Sequence, residues 1–409
     1  MPGTPGGRVT TTPTTDLLAA ETYANGHPHE LYAWLRRNDP VHWQPEPERP
    51  GYWAVMRHAD IRLVNTRTDL FSHAPSSQLE DDGEYTPGSP MVNLDPPAHT
   101  SVRKTSVAEF LPGAVRQRMG RLNGIAAELV DEVIEQGTCE FVVDIAGRMA
   151  SYVTAELLEI PRPDAVDLYH QVEIALAGGG VFTVEEITEA IGRMGAYGFQ
   201  VLTERRARPG TDVLSRLATD KIDGALMSDE DWLANFMLLV VGAGDTTRHL
   251  ISGGLLALFE NPDQRRILAA DIDGVMPLAV EEMLRWVTPV VYNRRMAKLD
   301  CEVGGVAIAA GDKVAVYYGS GNRDEDVFPD AGRFVVTRAP NPHVTFSGVG
   351  AHFCLGAHLA RGQASAVISE VLRRMPDIAQ AEPVEYDPSN FVSGPKRLAV
   401  EFSPGPRIG

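Results

Sequence analysis

Apolar residues crowd one long stretch of the chain, about residues 231–259, where they occupy most faces of a helix. A helix that is apolar nearly all round is buried, so this pattern predicts a helix running through the core. Residues 114–220 also follow the helical period. Residues 52–56 form a short apolar run, and residues 299–317 alternate around Gly304-Gly305, which predicts strands with a hairpin turn. The expected fold class is mainly α with smaller β-sheet regions.

Glycine and proline mark the places where this pattern stops. Residues 1–15 are rich in Thr, Pro and Gly and predict a disordered tail. Residues 177–180 and 192–198 carry several glycines, and we expect both stretches to interrupt the helical region. Residues 72–90 combine Ser, Pro and Gly with acidic side chains, which is typical of a solvated surface loop.

Composition and charge exclude several classes of protein. Of 409 residues, 44% are hydrophobic and 22% are charged, as in ordinary soluble globular proteins. The formal net charge of −18 argues against nucleic acid as a partner, because its phosphates would be repelled. The longest apolar run, residues 236–244, is too short to span a bilayer. The three cysteines form no paired framework, which fits a reducing compartment, so we expect a cytoplasmic protein without a membrane segment.

The centre of the long apolar segment contains residues that suit a helix interior poorly. Gly242 and Gly244 each cost about 1 kcal/mol relative to alanine there, and a buried acid such as Asp245 needs a partner or a chemical role. A packing kink would explain the glycines but not Asp245-Thr246. Because Thr246 can donate to the carbonyl of Gly242, four residues earlier, we expect a notch with a hydroxyl on its rim and a carboxylate behind it.

A second unusual stretch, residues 346–356, places Cys354 after a loop that Gly348 and Gly350 make flexible. A helical run follows the cysteine. A thiol at a helix start lies near unpaired N–H groups, which favour the thiolate and hence one strong bond to a metal. A lone cysteine is more often a buried structural residue, so the spacing of its neighbours decides between the two interpretations.

That spacing, Gly-x-Gly-x-His-x-Cys-x-Gly, closely resembles the heme-binding loop of the cytochrome P450 superfamily. Three further motifs of the family occur in the family's order. They are Glu282-Met-Leu-Arg285, the acid–alcohol motif in residues 242–247, and Phe328-Pro329 with Arg333-Phe334. The resemblance covers about residues 28–402. It implies one cytochrome P450 domain over residues 16–409, of the soluble bacterial type, with heme between the long central helix and the helix of the cysteine loop.

The resemblance also implies roles for individual residues. Cys354 would be the axial thiolate of heme b, with O2 as co-substrate, and Asp245 and Thr246 would relay protons. Arg295 best matches the arginine that binds the second heme propionate in the family, and Arg294 is the alternative. The positions expected to contact heme are His99, Arg103, Arg295, His352, Cys354, Phe346, Gly348, Gly356 and Ala243. Glu282, Arg285 and Arg333 would be structural.

Two positions depart from the family pattern. Ala243 stands where the family more often has glycine, which would narrow the groove beside the heme. The phenylalanine that many members place seven residues before the cysteine is one residue earlier here, at Phe346, with Ser347 in its place. This change concerns how the thiolate is shielded, and with it the redox potential.

The resemblance places a largely apolar substrate pocket beside the heme. Tyr292 and Asn293 could supply a polar anchor there, and the loop over residues 72–90 would cover the pocket. The residues expected to line it are Met237, Leu238, Val241, Gly242, Val290, Val291, Tyr292 and Phe391.

The function implied is a monooxygenase that inserts one atom of O2 into a C–H bond of a terpenoid, sterol, fatty acid or polyketide or peptide product. Electrons would come from a separate ferredoxin and ferredoxin reductase, and the substrate could be tethered to a carrier protein. Two alternatives differ in their sequence requirements. A peroxide-using enzyme would not need Asp245-Thr246, and a catalytically silent heme protein that binds a ligand or partner tends to lose the cysteine or the relay.

Overall fold

The computed structural model describes residues 16–46, 49–79, 88–176 and 182–408. The predicted tail, the most acidic part of the 72–90 loop and the interruption at residues 177–180 lie outside these ranges. Among the described residues, no helix combines the length and the apolar character needed to cross a membrane.

Helices make up most of the regular secondary structure of the described residues, as the periodicity predicts. Their bounds are α1 His29–Asn38, α2 His58–Thr66, α3 Ala98–Ser106, α4 Pro112–Val133, α5 Arg148–Leu158, α6 Arg162–Leu176, α7 Val184–Ala207, α8 Val213–Thr219, α9 Asp229–Glu260, α10 Pro262–Ala270, α11 Ile272–Val287, α12 Tyr318–Gly321 and α13 Ala357–Arg374.

The strands are short and form small sheets. They are β1 Val41–Gln44, β2 Tyr52–Val55, β3 Phe71–Ser72, β4 Thr138–Glu140, β5 Tyr292–Ala297, β6 Cys301–Val303, β7 Val306–Ile308, β8 Lys313–Tyr317, β9 Ala379–Gln380, β10 Glu385–Tyr386, β11 Pro395–Arg397 and β12 Ala399–Glu401. One sheet has the order β1-β2-β8-β5-β3. The predicted hairpin is present as β6–β7, and Gly304 and Gly305 turn it with φ of 57° and 85°.

The predicted core helix is α9, and most of its side chains are buried. The side chain of Ser228 caps it by accepting from the N–H of Asp231. Gly253 and Gly254 let α11 approach closely, because a Cβ on them would lie 2.8 Å from Val287 and 2.9 Å from Met283. This long helix is therefore the surface on which α5, α6, α7, α11 and α13 pack.

The prediction that glycines interrupt the helix at residues 192–198 is wrong, because α7 runs unbroken from Val184 to Ala207. Gly198 lies where α7 crosses α9, and a Cβ there would come within 2.6 Å of Leu233 and 2.7 Å of Phe236. Close packing between the two helices thus explains this glycine and outweighs its unfavourable helix propensity. Nothing in the structure explains Gly192 or Gly195.

A buried carboxylate, Glu282, ties α11 to the segment that follows α12. Nε and Nη2 of Arg285 both donate to it at 2.8 Å. The backbone N–H of Val335 donates at 2.8 Å and the amide of Asn341 at 3.1 Å. A buried carboxylate with this many donors fixes every chain segment that supplies one.

The second guanidinium on Glu282 belongs to Arg338, whose Nε lies 3.2 and 3.1 Å from the two carboxylate oxygens. The sequence assigned Arg333 to this cluster, and that assignment needs correction. The side chain of Arg333 is exposed, and only its carbonyl takes part, accepting from Arg285 Nη2 at 2.9 Å. The motif located the correct segment but the wrong arginine within it.

Replacing Glu282 with Gln should lower the free energy of unfolding by about 3–5 kcal/mol, because Arg285 and Arg338 would remain buried without a counter-charge. Chemical denaturation followed by circular dichroism measures this change. Asp263→Asn, which breaks the solvent-exposed ion pair with Arg266, is the matched control and should have little effect. Equal stability of the two variants would contradict this account of the core.

Candidate active site

The cysteine loop has an unusual backbone that brings it against α2. Ser347, Gly348 and Gly350 have φ of 68°, 67° and 118°. A Cβ on Gly350 would lie 2.6 Å from the carbonyl oxygen of Asn65. The side chain of Asn65 donates to the carbonyl of Ser347 at 3.1 Å, so α2 fixes the start of the loop.

The loop delivers Cys354 to the start of α13. The N–H of Cys354 donates to the carbonyl of Phe346 at 3.2 Å, which closes the loop, and Gly356 is the N-cap of the helix. Cys354 keeps accessible surface in the structure.

The chain alone does not stabilise the thiolate, contrary to the expectation from the helix start. Burial raises the pKa of the Cys354 thiol and outweighs the backbone bond to Gly356 and the charges of Arg103 and Arg361, which lower it. A metal cation would reverse this balance, because a coordinating thiol is deprotonated outright.

Phe346 packs beside the cysteine loop. Its ring lies 4.8 Å from the guanidinium of Arg361 and contacts the ring of Phe353 edge-on at 6.2 Å. Ser347, which occupies the usual phenylalanine position, instead bonds through its hydroxyl to Tyr318 at 3.1 Å. Gly348 packs against Val344, whereas a Cβ on Gly356 would meet no atom of the described chain.

Three histidine rings stack near this loop. His352 lies between His73 and His99, with ring centroids 3.3 and 3.9 Å away and interplanar angles of 11° and 24°. Each ring has a buried nitrogen without a hydrogen-bond partner among the described residues. Burial, with nearby positive groups, lowers the pKa of His99 to about 4 and of His352 to about 2. Burial and Arg295 also hold the pKa of His73 far below its usual value.

Two guanidiniums complete this histidine cluster. Arg103 donates through Nη2 to the carbonyl of Phe353 at 2.7 Å. Arg295, which is buried, donates to Asn65 Oδ1 at 3.0 Å, and its Nε has no partner among the described residues. Arg294 instead donates to the carbonyl of Ser76 at 3.2 Å. Of the two alternatives, Arg295 is the one whose charge acts on His73 and His352.

This group of guanidiniums and imidazoles suits an anionic ligand. Buried donors are normally satisfied, so the unpaired nitrogens on His73, His99, His352 and Arg295 indicate a missing acceptor group. A ligand that carries carboxylates would satisfy them, and arginine binds carboxylates strongly. The residues present therefore fit the propionates of heme, with Cys354 available to the metal.

The predicted notch is present on α9, which stays α-helical throughout. Gly242 is exposed in the middle of this buried helix, and a Cβ there would meet no atom within 4 Å. The hydroxyl of Thr246 donates to the carbonyl of Gly242 at 3.1 Å, as the sequence predicts. The other side of the helix is closed, because Gly244 packs on Tyr169, and the neighbouring Ala243 is half-buried.

Asp245 lies behind the notch and is held by a partner that sequence reasoning missed. Arg248, one helical turn on, forms an ion pair with it, and Nε2 of His249 lies 3.6 Å from Asp245 Oδ2. Burial alone would raise the pKa of Asp245, but Arg248 and His249 hold it well below its usual value. The i, i+3 spacing of an acid and an arginine is a signal that could have predicted this pair.

The residues expected to line a substrate pocket divide into two groups. Met237, Leu238, Val241, Val290 and Phe391 are half-buried and keep some accessible surface, as does Gly242. Val291 and Tyr292 have none, so their assignment to the pocket needs correction. Both belong to the core beneath β5, where the Tyr292 hydroxyl accepts from the N–H of Leu79 at 3.2 Å.

Comparison with known proteins places the chain among relatives that match it over nearly all of its length. The cytochrome P450 family model matches residues 200–402. The methyl-branched lipid omega-hydroxylase of Mycobacterium tuberculosis is 35% identical, over 91% of this chain and 90% of the relative. The steroid C26-monooxygenase of Mycolicibacterium smegmatis is 35% identical, over 96% of this chain and 97% of the relative. A solved cytochrome P450 of Mycobacterium marinum in complex with pseudoionone has a TM-score of 0.90 and 36% identity, covering 97% and 100%.

Replacing Gly350 with Ala should disturb the cysteine loop, because the new Cβ would meet the Asn65 carbonyl and the residue would keep an unfavourable positive φ. We expect a loss of about 1–3 kcal/mol in stability and a lower heme content after purification. Thermal unfolding and a heme assay measure the two effects.

Gly120→Ala is the matched control, since this exposed glycine in α4 has open space at its Cβ position. Alanine there should be neutral or slightly stabilising. A Gly350→Ala protein that is as stable and as rich in heme as the control would contradict the steric argument.

Proposed function

The chain belongs to the cytochrome P450 family and is a monooxygenase, and on this premise we propose that it hydroxylates the terminal carbon of a methyl-branched hydrocarbon chain. The observation that carries the reaction is accessible surface at two places on neighbouring helices. Helices α9 and α13 pack together. One exposes Gly242 beside Thr246, and Cys354 is accessible at the start of the other.

Heme b is the cofactor that these residues suit. Cys354 would bind its iron, and His99, Arg103, Arg295 and His352 would hold its propionates. The unpaired buried nitrogens of that cluster support this assignment. When bound, the heme supplies the activation of O2 that side chains alone cannot perform. Phe346, Gly348 and Gly356 would shape the thiolate side of the site, and Ala243 would face the opposite side.

The side chains on α9 supply room and protons. Gly242 leaves space for a small molecule beside the helix, and the Thr246 hydroxyl lies at the edge of that space. Thr246 donates its own hydrogen to the Gly242 carbonyl, so its oxygen is free to accept one. Monooxygenation consumes two protons for each product, and the ionised Asp245 behind Thr246 can accept protons from further out and pass them on.

The relatives and the accessible side chains together support the substrate class. One relative is named for the omega end of methyl-branched lipids and another for carbon 26 of steroids. Carbon 26 is a methyl at the end of a branched side chain, and pseudoionone is an acyclic isoprenoid ketone. The accessible residues Met237, Leu238 and Val241 are apolar, which suits the hydrocarbon end of such a molecule.

Electron supply and location remain proposals that rest on the family. Electrons would come from a separate ferredoxin with its ferredoxin reductase. The enzyme would work in the cytoplasm, and its three free cysteines agree with a reducing compartment.

Optical titration of the purified ferric enzyme tests the substrate class. A methyl-branched fatty acid and pseudoionone should shift the Soret band toward high spin at lower concentration than a linear fatty acid with the same number of carbons. Turnover with ferredoxin and its reductase should place the hydroxyl on the terminal carbon, as mass spectrometry of the products can determine.

The linear acid is the matched control for the methyl-branched acid, because the two differ only in branching. Oxidation at internal carbons, or equal response to the linear acid, would refute the proposed specificity. If the heme spectrum is normal but no free compound shifts it and none is turned over, the proposal of a free hydrocarbon substrate is wrong, and a carrier-bound substrate or a silent binding role would replace it.

A further inference from the structure

Three carboxylates share one buried guanidinium behind the notch on α9. Arg248 forms an ion pair with Asp245, its Nη1 lies 2.6 Å from Glu173 of α6, and its Nη2 lies 3.9 Å from Asp387. The side chains of Arg248 and Asp245 are only 5% and 6% exposed. Arg248 therefore links α6, α9 and the β10–β11 connection through its ion pairs.

The charges in this cluster do not balance. Three acids face Arg248, and the other basic groups nearby are His249, Lys396 and His170, whose Nδ1 lies 3.6 Å from Glu173. Carboxylates that lie close together in a poorly solvated site cannot all ionise with equal ease, so one of them holds a proton more readily than the others. The identity of that acid decides where a proton is stored.

Asp387 is the member of the cluster suited to hold the proton. Burial, and then the charge of Asp245, raise the pKa of its carboxyl, with His249, Arg248 and Lys396 opposing. Asp245 has the opposite shift. Glu173 is bonded directly to Arg248, whereas Asp387 lies at 3.9 Å from it. Asp387 is thus the acid that Arg248 holds least tightly.

Asp387 also connects the cluster to water. It lies between β10 and β11, and its side chain is 18% exposed, three times as much as that of Asp245. Its backbone N–H donates to the carbonyl of Gly394 at 3.1 Å, and its carbonyl accepts from Ser389 at 2.8 Å, so the loop holds it in place. Asp245 and Asp387 both face Nη2 of Arg248, which keeps the path between them short.

We propose that Asp387 passes protons from solvent to Asp245, with Arg248 as the positioning residue that holds the two carboxylates together. In this step the O–H bond of protonated Asp387 breaks, Asp245 gains the proton, and Asp387 takes another from water. No electrons move. This inference rests on the proposed role of Asp245 and Thr246 in proton delivery.

Asp387→Asn tests the proposal, because an amide keeps the shape but cannot release a proton. We expect the fraction of electrons that reach product to fall roughly tenfold or more, with peroxide formed instead and a larger solvent isotope effect on product formation. The spin shift on substrate binding should be unchanged. Asp387→Glu should restore most of the lost coupling, since it returns an ionisable carboxyl.

Glu385→Gln is the matched control, since Glu385 lies on the same hairpin but pairs at 3.0 Å with the exposed Arg397. This variant should couple electrons to product like the wild type. Normal coupling and a normal isotope effect in Asp387→Asn would overturn the proposal. So would an equal loss in Glu173→Gln, because that result would mean that both substitutions act only by loosening Arg248.

Asp245→Asn separates this inference from the function on which it rests. If Asp245→Asn loses coupling while Asp387→Asn does not, only the role of Asp387 fails. If Asp245→Asn itself couples normally, the proposed proton relay fails as a whole. A pH profile adds a check, in which Tyr169, His170 and Glu173 of α6, Arg248 and His249 of α9, and Lys396 of β11 are the other ionisable groups around the pair.

Discussion

The placement of Cys354 depends on the buried carboxylate of Glu282. That carboxylate anchors Arg285, and Arg285 in turn donates to the carbonyl of Asn322 at 2.9 Å. The side chain of Asn322 donates to the hydroxyl of Thr345 and accepts from the N–H of Val344, both at 2.8 Å. Residues 344 and 345 lead directly into the cysteine loop. A charge cluster on α11 thereby sets the position of a thiol just before α13, which no local preference of the loop could fix.

The opposite side of the site uses buried charge differently. Around Glu282 the donors outnumber the carboxylates, so every lone pair of the carboxylate has a partner and the cluster is rigid. Around Arg248 the carboxylates outnumber the guanidinium, and a mobile proton has several places to reside. The same kind of interaction serves architecture on the α11 side and, under our proposal, proton transfer on the α9 side. The two clusters differ in the ratio of donors to acids and also in burial, because Glu282 is fully buried whereas Glu173 and Asp387 are partly exposed.

Sequence motifs predicted much of this arrangement, because each combines residue type with spacing along one element. The cysteine loop, the Thr246 hydrogen bond and the Glu282–Arg285 pair are local in this sense. These motifs could not predict contacts between distant segments of the chain. Arg338 rather than Arg333 contacts Glu282, because the chain turns between the two arginines. His73 is distant from His352 in sequence, and only the fold brings it into the stack with His352 and His99. Val291 and Tyr292 were misassigned because their burial depends on segments at the N-terminus, and Gly198 because α9 crosses α7 at that point.

The carbon monoxide difference spectrum of the reduced protein, compared between the wild type and Cys354→Ala, tests most directly whether Cys354 is the thiolate ligand of the heme. Cys301→Ala provides a control cysteine away from the site. The long-wavelength Soret band of a thiolate-ligated heme should appear in the wild type and in Cys301→Ala and be lost in Cys354→Ala. Retention of that band in Cys354→Ala would contradict the assignment of the thiolate, and with it the organisation of the site described above.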